Sequence, residues 1–379
     1  MESKKILIIS RSFHPEKSPR SLRTTALAKE FAKQGHNVTV LTVKNDAVHV
    51  PFEKEYNITI NDLGPLQFSA IDITNTKGPF KYVKRALRRA MLLFFEYPDI
   101  ELMFRVNKAL KNESGYDLLI SIAVPHPIHW GVAMARKVDH CIADVWVADC
   151  GDPYYGLEND SFNALFYFSY IEKWFSRKAD YITIPFEGAR SAYFPEFHSK
   201  IKIIPQGLFF PEKESPIKKV KNKEITFAYF GNIQSYLHYA VPFLEKLNAL
   251  DKDFRFIVYT RDRQLYERIL NTETLRMCEI RGYVDRQVLL GQLNGVDFLV
   301  HFPYRKGTQK SLKLIDYAYL GKPVLSYSND ERSDRILNEF MSYNFKNQMP
   351  LEDYSKYRIE NVSARFLELT QTDLQLAAL

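Results

Sequence analysis

Two kinds of pattern alternate along the chain. Short β-branched runs stand between longer stretches whose apolar residues recur at three- and four-residue spacing. KKILIIS, from Lys4 to Ser10, reads as a buried parallel strand. A loop with Pro15, Ser18 and Pro19 follows. Next comes a helical pattern with Leu22, Ala26, Leu27, Phe31 and Ala32 as apolar positions and Gly35 as its stop. NVTVLTV after His36 is a second strand, which completes one βαβ unit. The alternation continues through Tyr116 to Ala123, the helix-like HWGVAMARKV, the strand-like CIADVWVA, Ala179 to Pro185 and Lys200 to Gly207. Pro211 to Glu224, nearly all charge and proline, breaks the pattern and reads as an exposed linker. The pattern then restarts with ITFAYFG, a helix through VPFLEKLNAL, FRFIVYT, MCEIRGYV, VDFLVHF, the helix SLKLIDYAYLG and the strand KPVLSYS. The expected fold class is α/β with two Rossmann-like domains. The first spans 1–210, a linker 211–222, and the second 223–355. A helical cap at 356–379 closes the chain, with a return to the N-terminal domain as one placement. Ligands of such sheets bind at the carboxyl ends of the strands and between domains.

Composition narrows this reading. A chain of 379 residues holds two or three domains. Its 46% hydrophobic content excludes a disordered chain. Lys plus Arg number 52 against 45 Asp plus Glu, a net charge of +7, which is modest for this length. Cys141, Cys150 and Cys278 are too few and scattered for a disulfide scaffold or zinc cluster, so a reducing, cytoplasmic setting is expected. MESKK leads straight into ILIIS, too short for a signal-peptide core. No run of 18 apolar residues is long enough to cross a membrane.

The motifs that are missing discriminate as well. The first strand–helix junction is SFHPEKSPRS rather than GxGxxG, which argues against a nicotinamide or flavin enzyme. There is no GxxxxGK[ST], no HExxH and no metal-ligand spacing, and no metal or cofactor is expected.

Four segments carry a resemblance. They are ILIISRSFHPEKSPRSLRTTALAKEFAKQGHNVTVLT, VADCGDPYYG, ADYITIPFEGARSAYFPEFHSKIKIIPQG and KGTQKSLKLIDYAYLGKPVLSY. In this order they resemble GT-B glycosyltransferases, specifically the retaining family 4 that builds bacterial polysaccharides. The last segment resembles the family's donor-binding P-S-K-L-x-E-Y element. The resemblance implies two Rossmann-like domains facing across a cleft. It also implies transfer of a sugar from a nucleotide-sugar to a glycan or lipid-linked acceptor, as in lipopolysaccharide or capsule synthesis.

The residues of the last segment support part of this by themselves. A helix starting near Ser311 offers free backbone N–H groups and a dipole suited to a diphosphate. Lys310 and Lys313 lie three apart on its first turn, and Asp316 three further on is placed to accept from a ribose. The competing reading makes them solvated residues of a surface helix. The resemblance assigns phosphate to Lys313 and ribose to Asp316, where the family has the longer Glu. Gly231-Asn232 ends the first strand of the second domain, and Gly231 permits close backbone approach. The family has a Lys shortly after this glycine; here none occurs before Lys246, so Arg261, with Arg263 as its rival, is the candidate substitute. Gly282-Tyr283-Val284 resembles the turn that meets the nucleobase, with uridine expected. On the acceptor side His14, Arg20, His126, His129, Asp149 and Asp152 follow strands. His126 sits in a loop that its flanking prolines hold extended, and it resembles the position that meets the transferred sugar. His126, Lys313 and Asp152 are the catalytic candidates, and the resemblance implies that the donor phosphate takes the acceptor proton. A sugar-nucleotide epimerase, or a scaffold that has lost a phosphate ligand, are the alternatives.

KGPFKYVKRALRRAMLLFFEYP adds a location. Lys77, Lys81, Lys84, Arg85, Arg88 and Arg89 precede the first acid, Glu96, while Phe80, Val83, Leu87, Met91, Leu92, Phe94 and Phe95 supply an apolar side. This reads as a basic amphipathic helix on an anionic membrane surface. The competing reading sends its Leu/Phe end into the first domain's core. Nucleic acid is not an expected partner.

Overall fold

The computed structural model describes residues 2–74, 78–137, 140–156, 165–211, 222–233, 236–261, 263–270, 272–303 and 311–371. Lys77, Lys310, the 305–309 loop and nearly all of the expected linker lie outside them. The chain forms two compact units, one ending at Phe209 and resuming at Lys356, the other Phe210–Ser355.

The first unit contains β1 (Lys5–Ile9), α1 (Pro19–Lys33), β2 (Asn37–Thr42), α2 (Asp46–Tyr56), β3 (Thr59–Asp62), α3 (Pro79–Phe95), α4 (Glu101–Ala109), β4 (Tyr116–Ala123), α5 (Pro127–Ala135), β5 (Ala143–Cys150), α6 (Tyr167–Lys178), β6 (Tyr181–Ile184) and β7 (Ile201–Ile203). Its sheet is parallel throughout, in the order β3-β2-β1-β4-β5-β6-β7. Both faces are covered, and this is why the strands are continuous apolar runs. Leu7, Ile9 and Leu119 meet α4, α5 and α6 through Leu102, Trp130 and Phe175. Ile6, Ile8 and Ile120 meet Leu27 and Phe31 of α1 and Phe52 of α2 on the other face. Ser18 caps α1 by accepting from the Ser21 amide, with Pro19 at the first helical position.

The second unit contains β8 (Ile225–Phe230), α7 (Leu237–Asn248), β9 (Phe254–Tyr259), α8 (Arg263–Ile269), α9 (Thr272–Met277), β10 (Cys278–Arg281), α10 (Arg286–Leu293), β11 (Phe298–His301), α11 (Lys313–Leu320), β12 (Val324–Ser326) and α12 (Glu331–Phe340). Its parallel sheet runs β10-β9-β8-β11-β12. Aromatic residues dominate one face, with Phe227 stacked on Phe298 at 4.6 Å between ring centroids. The final helix, α13 (Ile359–Glu368), packs on the first unit: Val362 and Phe366 share a core with Leu27 and Phe31, and Leu208 pairs with Arg358.

Both sheets reverse their strand order beside their first strand. The crevice rule places ligands there, between the carboxyl ends of β1 and β4 and of β8 and β11. No described helix is long and apolar enough to cross a membrane.

Candidate functional site

In the second unit the switch point is built around Lys313, the first residue of α11. Gly231, just past β8, adopts φ +109, a left-handed conformation that favours glycine. A Cβ there would lie 2.8 Å from Lys313 Cε and 2.9 Å from Nζ, so the missing side chain leaves room for the lysine. Lys313 Nζ donates to Tyr229 Oη at 2.8 Å and lies 4.3 Å from the Tyr229 ring and 5.4 Å from that of Tyr236. No carboxylate pairs with it among the described residues, and burial pushes its pKa down to about 7. His301, at the end of β11, is held neutral near pKa 4, by burial first and then by Lys313.

The neighbouring candidates divide into three groups. Asp316 is buried and accepts from Arg286 Nε at 2.9 Å and Nη2 at 2.6 Å, both on Oδ1. Burial raises its pKa against the opposing pull of Arg286. The Arg286 guanidinium also covers the Phe210 ring at 4.8 Å. Arg261 is exposed over the Tyr283 ring at 4.5 Å, while its rival Arg263 is tied to Glu267 on α8 at 2.7 Å. Asn232 is exposed, Val284 half-buried, and Ser311 buried before α11.

In the first unit Arg20 Nη2 donates to Asp152 Oδ2 at 2.8 Å. A Cβ on Gly151 would fall 1.6 Å from Arg20 Nη1, so glycine alone lets the guanidinium approach this closely. His126 is not in an extended loop. It is the N-cap of α5 in helical conformation, because its prolines sit where a helix start tolerates them. It is buried, tilted against Tyr154 at 4.7 Å, and its Nδ1 has no hydrogen-bond partner among the described residues. Burial lowers its pKa to about 4, with Asp152 opposing and Arg20 adding to the effect.

Two acceptor-side candidates serve the interior. His129 is fully buried on the first turn of α5, with Nδ1 2.8 Å from Ser121 Oγ and Nε2 3.4 Å from Cys150 Sγ. Trp146 Nε1 donates to the same Ser121 oxygen. Asp149 is buried and accepts from Arg23 Nε and Nη2 at 2.6 and 2.7 Å and from Thr183 at 2.6 Å. Arg23 also donates to the Pro205 carbonyl at 2.7 Å. With its oxygens committed, Asp149 clamps strand ends together and does not face an acceptor. His14 is half-buried and stacked on Phe52 at 4.8 Å.

Several site residues carried no sequence signal: Arg286, Tyr229, Tyr236, Arg23, Ser121 and Tyr154. Most meet their partners through strand order rather than local spacing.

Basic residues and apolar residues divide α3. Lys84, Arg85 and Arg88 are exposed, and Lys81 and Arg89 half-buried. None of its residues is buried, so its Leu/Phe end does not enter the core. Phe80 is 72% exposed and Phe95 59%. Beside its C-terminus lies an apolar pocket of about 430 Å³ lined by Met91, Phe94, Tyr97, Trp130, Tyr167 and Ile171 among others.

No family model matches the chain, and no curated protein matches it. Solved structures do. A glycosyltransferase from Rickettsia africae ESF-5 superposes with a TM-score of 0.59 at 12% identity, covering 99% of each chain. The apo form of the lipopolysaccharide outer core galactosyltransferase WaaB gives 0.55 at 15% identity, over 99% of this chain and 100% of its own. Anabaena HepE, in complex with UDP and glucose, gives 0.52 at 13% identity, over 99% and 100%. At these identities the likeness is one of architecture: two Rossmann-like domains with parallel sheets of seven and five strands, the GT-B fold.

Proposed function

We propose that the chain is a retaining, metal-independent glycosyltransferase of the family 4 type. It moves a sugar from a UDP-sugar to a glycan or lipid-linked saccharide in cell-surface polysaccharide synthesis, at the inner face of the cytoplasmic membrane. The carrying observation is Lys313, a half-buried lysine that pairs with no carboxylate among the described residues, at the switch point of the second sheet. Such a cation is costly unless an anion completes it. A nucleoside diphosphate does so, and the start of α11 adds N–H groups and dipole to the same charge. UDP in the HepE structure supports the choice of nucleotide.

The chemistry follows from that placement. As the sugar leaves, negative charge grows on the β-phosphate, and Lys313 regains its proton affinity where that charge forms, a preorganised electrostatic contribution. Among the described residues Arg286 meets Asp316 through Oδ1, which leaves Oδ2 to accept from ribose hydroxyls. Arg261 supplies a second phosphate contact, and Tyr283-Val284 meet the base. In the first unit Arg20, Asp152 and His126 take the acceptor, the neutral imidazole facing the transferred sugar. The departing phosphate takes the acceptor proton. The exposed basic α3 holds the protein on anionic lipid.

Calorimetric titration with UDP-, GDP- and ADP-sugars in the presence of chelator tests this reading. Micromolar binding of one donor, strongly weakened in Lys313→Ala and less so in Asp316→Ala, is expected. Absence of binding by the folded chain would refute the transferase and favour a scaffold.

A further inference from the structure

The apolar pocket beside α3 lies against the candidate acceptor residues of the same unit. Phe80, Val83, Leu87, Met91 and Phe94 follow one another at three- and four-residue spacing along α3, and Met91 and Phe94 line the pocket. Lys81, Lys84, Arg85 and Arg88 form a separate basic stripe on the same helix. Trp130, on the pocket wall, packs edge-on to Tyr154 at 5.6 Å, and Tyr154 contacts His126 at 4.7 Å. The Tyr154 hydroxyl donates to Glu96 at 3.2 Å, and Tyr167 donates to the Phe94 carbonyl. Those two bonds fasten the end of α3 to α6 and to the His126 wall. An apolar track thus runs from exposed helix to pocket, and an aromatic wall from pocket to His126.

We infer that this pocket takes the hydrocarbon chain of the acceptor, which is an amphiphile with a negatively charged head group. This rests on the transferase reading and narrows its acceptor to the lipid-linked class. The volume is within the roughly 300–1,000 Å³ of small-molecule sites. The wall is almost wholly apolar in accessible surface, which suits a hydrocarbon chain that needs no polar partner. The basic stripe complements a phosphate head group, which fixes the orientation of the chain in the pocket.

The test uses the full chain and dodecyl phosphate below its micelle concentration, with inorganic phosphate as the headgroup control. Single-site binding of dodecyl phosphate is expected, with at least tenfold weaker binding by Met91→Glu and Ile171→Glu. Met91 is on a helix with no buried residue, so that variant leaves the core intact. Lys84→Ala with Arg88→Ala should weaken binding less and in a salt-dependent way. Undiminished binding by both Glu variants would overturn the assignment. So would binding to phosphatidylglycerol vesicles without binding of monomeric dodecyl phosphate, which would indicate plain bilayer contact. A UDP titration run alongside separates the two readings. UDP bound without dodecyl phosphate removes the pocket assignment alone; the reverse removes the transferase and leaves the pocket.

Discussion

The two switch points treat their charges in opposite ways. In the first unit the ionised groups satisfy one another. Arg23 and Asp149 are sealed together at 2.6 Å, and Arg20 meets Asp152 at 2.8 Å. In the second unit Lys313 is half-buried, and among the described residues it meets a phenol oxygen and two aromatic faces but no carboxylate. A buried charge with its partner contributes to architecture. One without a partner costs stability and is retained where a ligand supplies the counter-charge. By this criterion Asp149 is structural and Lys313 is the residue we propose for ligand binding, although both lie near strand ends.

Substitutions should separate the two regions by the sign of their effects. The largest loss of stability belongs to Arg23→Ala, which strands the Asp149 carboxylate in the core and should cost about 3–5 kcal/mol in denaturant unfolding. UDP affinity is the wrong readout there. Lys313→Met should do the reverse: UDP binding falls roughly 10–100-fold, the about 1.5–3 kcal/mol of a charge-assisted contact, while the unfolding midpoint holds or rises. Its pH dependence has a definite sign. Lys313 has a pKa of about 7 when folded and 10.5 as its ordinary value. The unfolded chain therefore binds more protons between those limits, so stability rises with pH across that window, and Lys313→Met removes the slope. Gly231→Ala should weaken UDP by about 1–2 kcal/mol, since the φ of +109 is strained for alanine and Lys313 must shift. Asp152→Asn breaks a half-exposed pair and should change stability by under about 1 kcal/mol, measurable as a small midpoint shift.

How legible each part is in the sequence follows the same division. Strands buried on both faces, such as β1 and β4, write themselves as largely apolar runs, and Gly35 and Gly321 mark helix ends with positive φ. The fold class is therefore readable. The short edge strand β3 and helix α2 are polar or brief and leave little periodic signal. The buried face of α1 contains Arg23 and Thr24, while Leu22 is 46% exposed, because a polar clamp rather than apolar contact is made there. Lys313 can be picked out by its place at a helix start. Its aromatic surroundings come from Tyr229, 84 residues earlier, and Arg286 reaches Asp316 across 30 residues. Spacing along the chain carries no record of such pairs, which strand order alone creates.

Proton uptake on UDP binding tests the role of Lys313 most directly. Calorimetry at pH 8 in two buffers of different ionisation enthalpy reads the protons taken up as UDP binds. A lysine that is largely neutral in the free chain must be recharged by the diphosphate. The account predicts net uptake by the natural chain and none by Lys313→Arg, which stays charged throughout. Equal uptake in the two proteins, or UDP binding with no uptake in either, would contradict it.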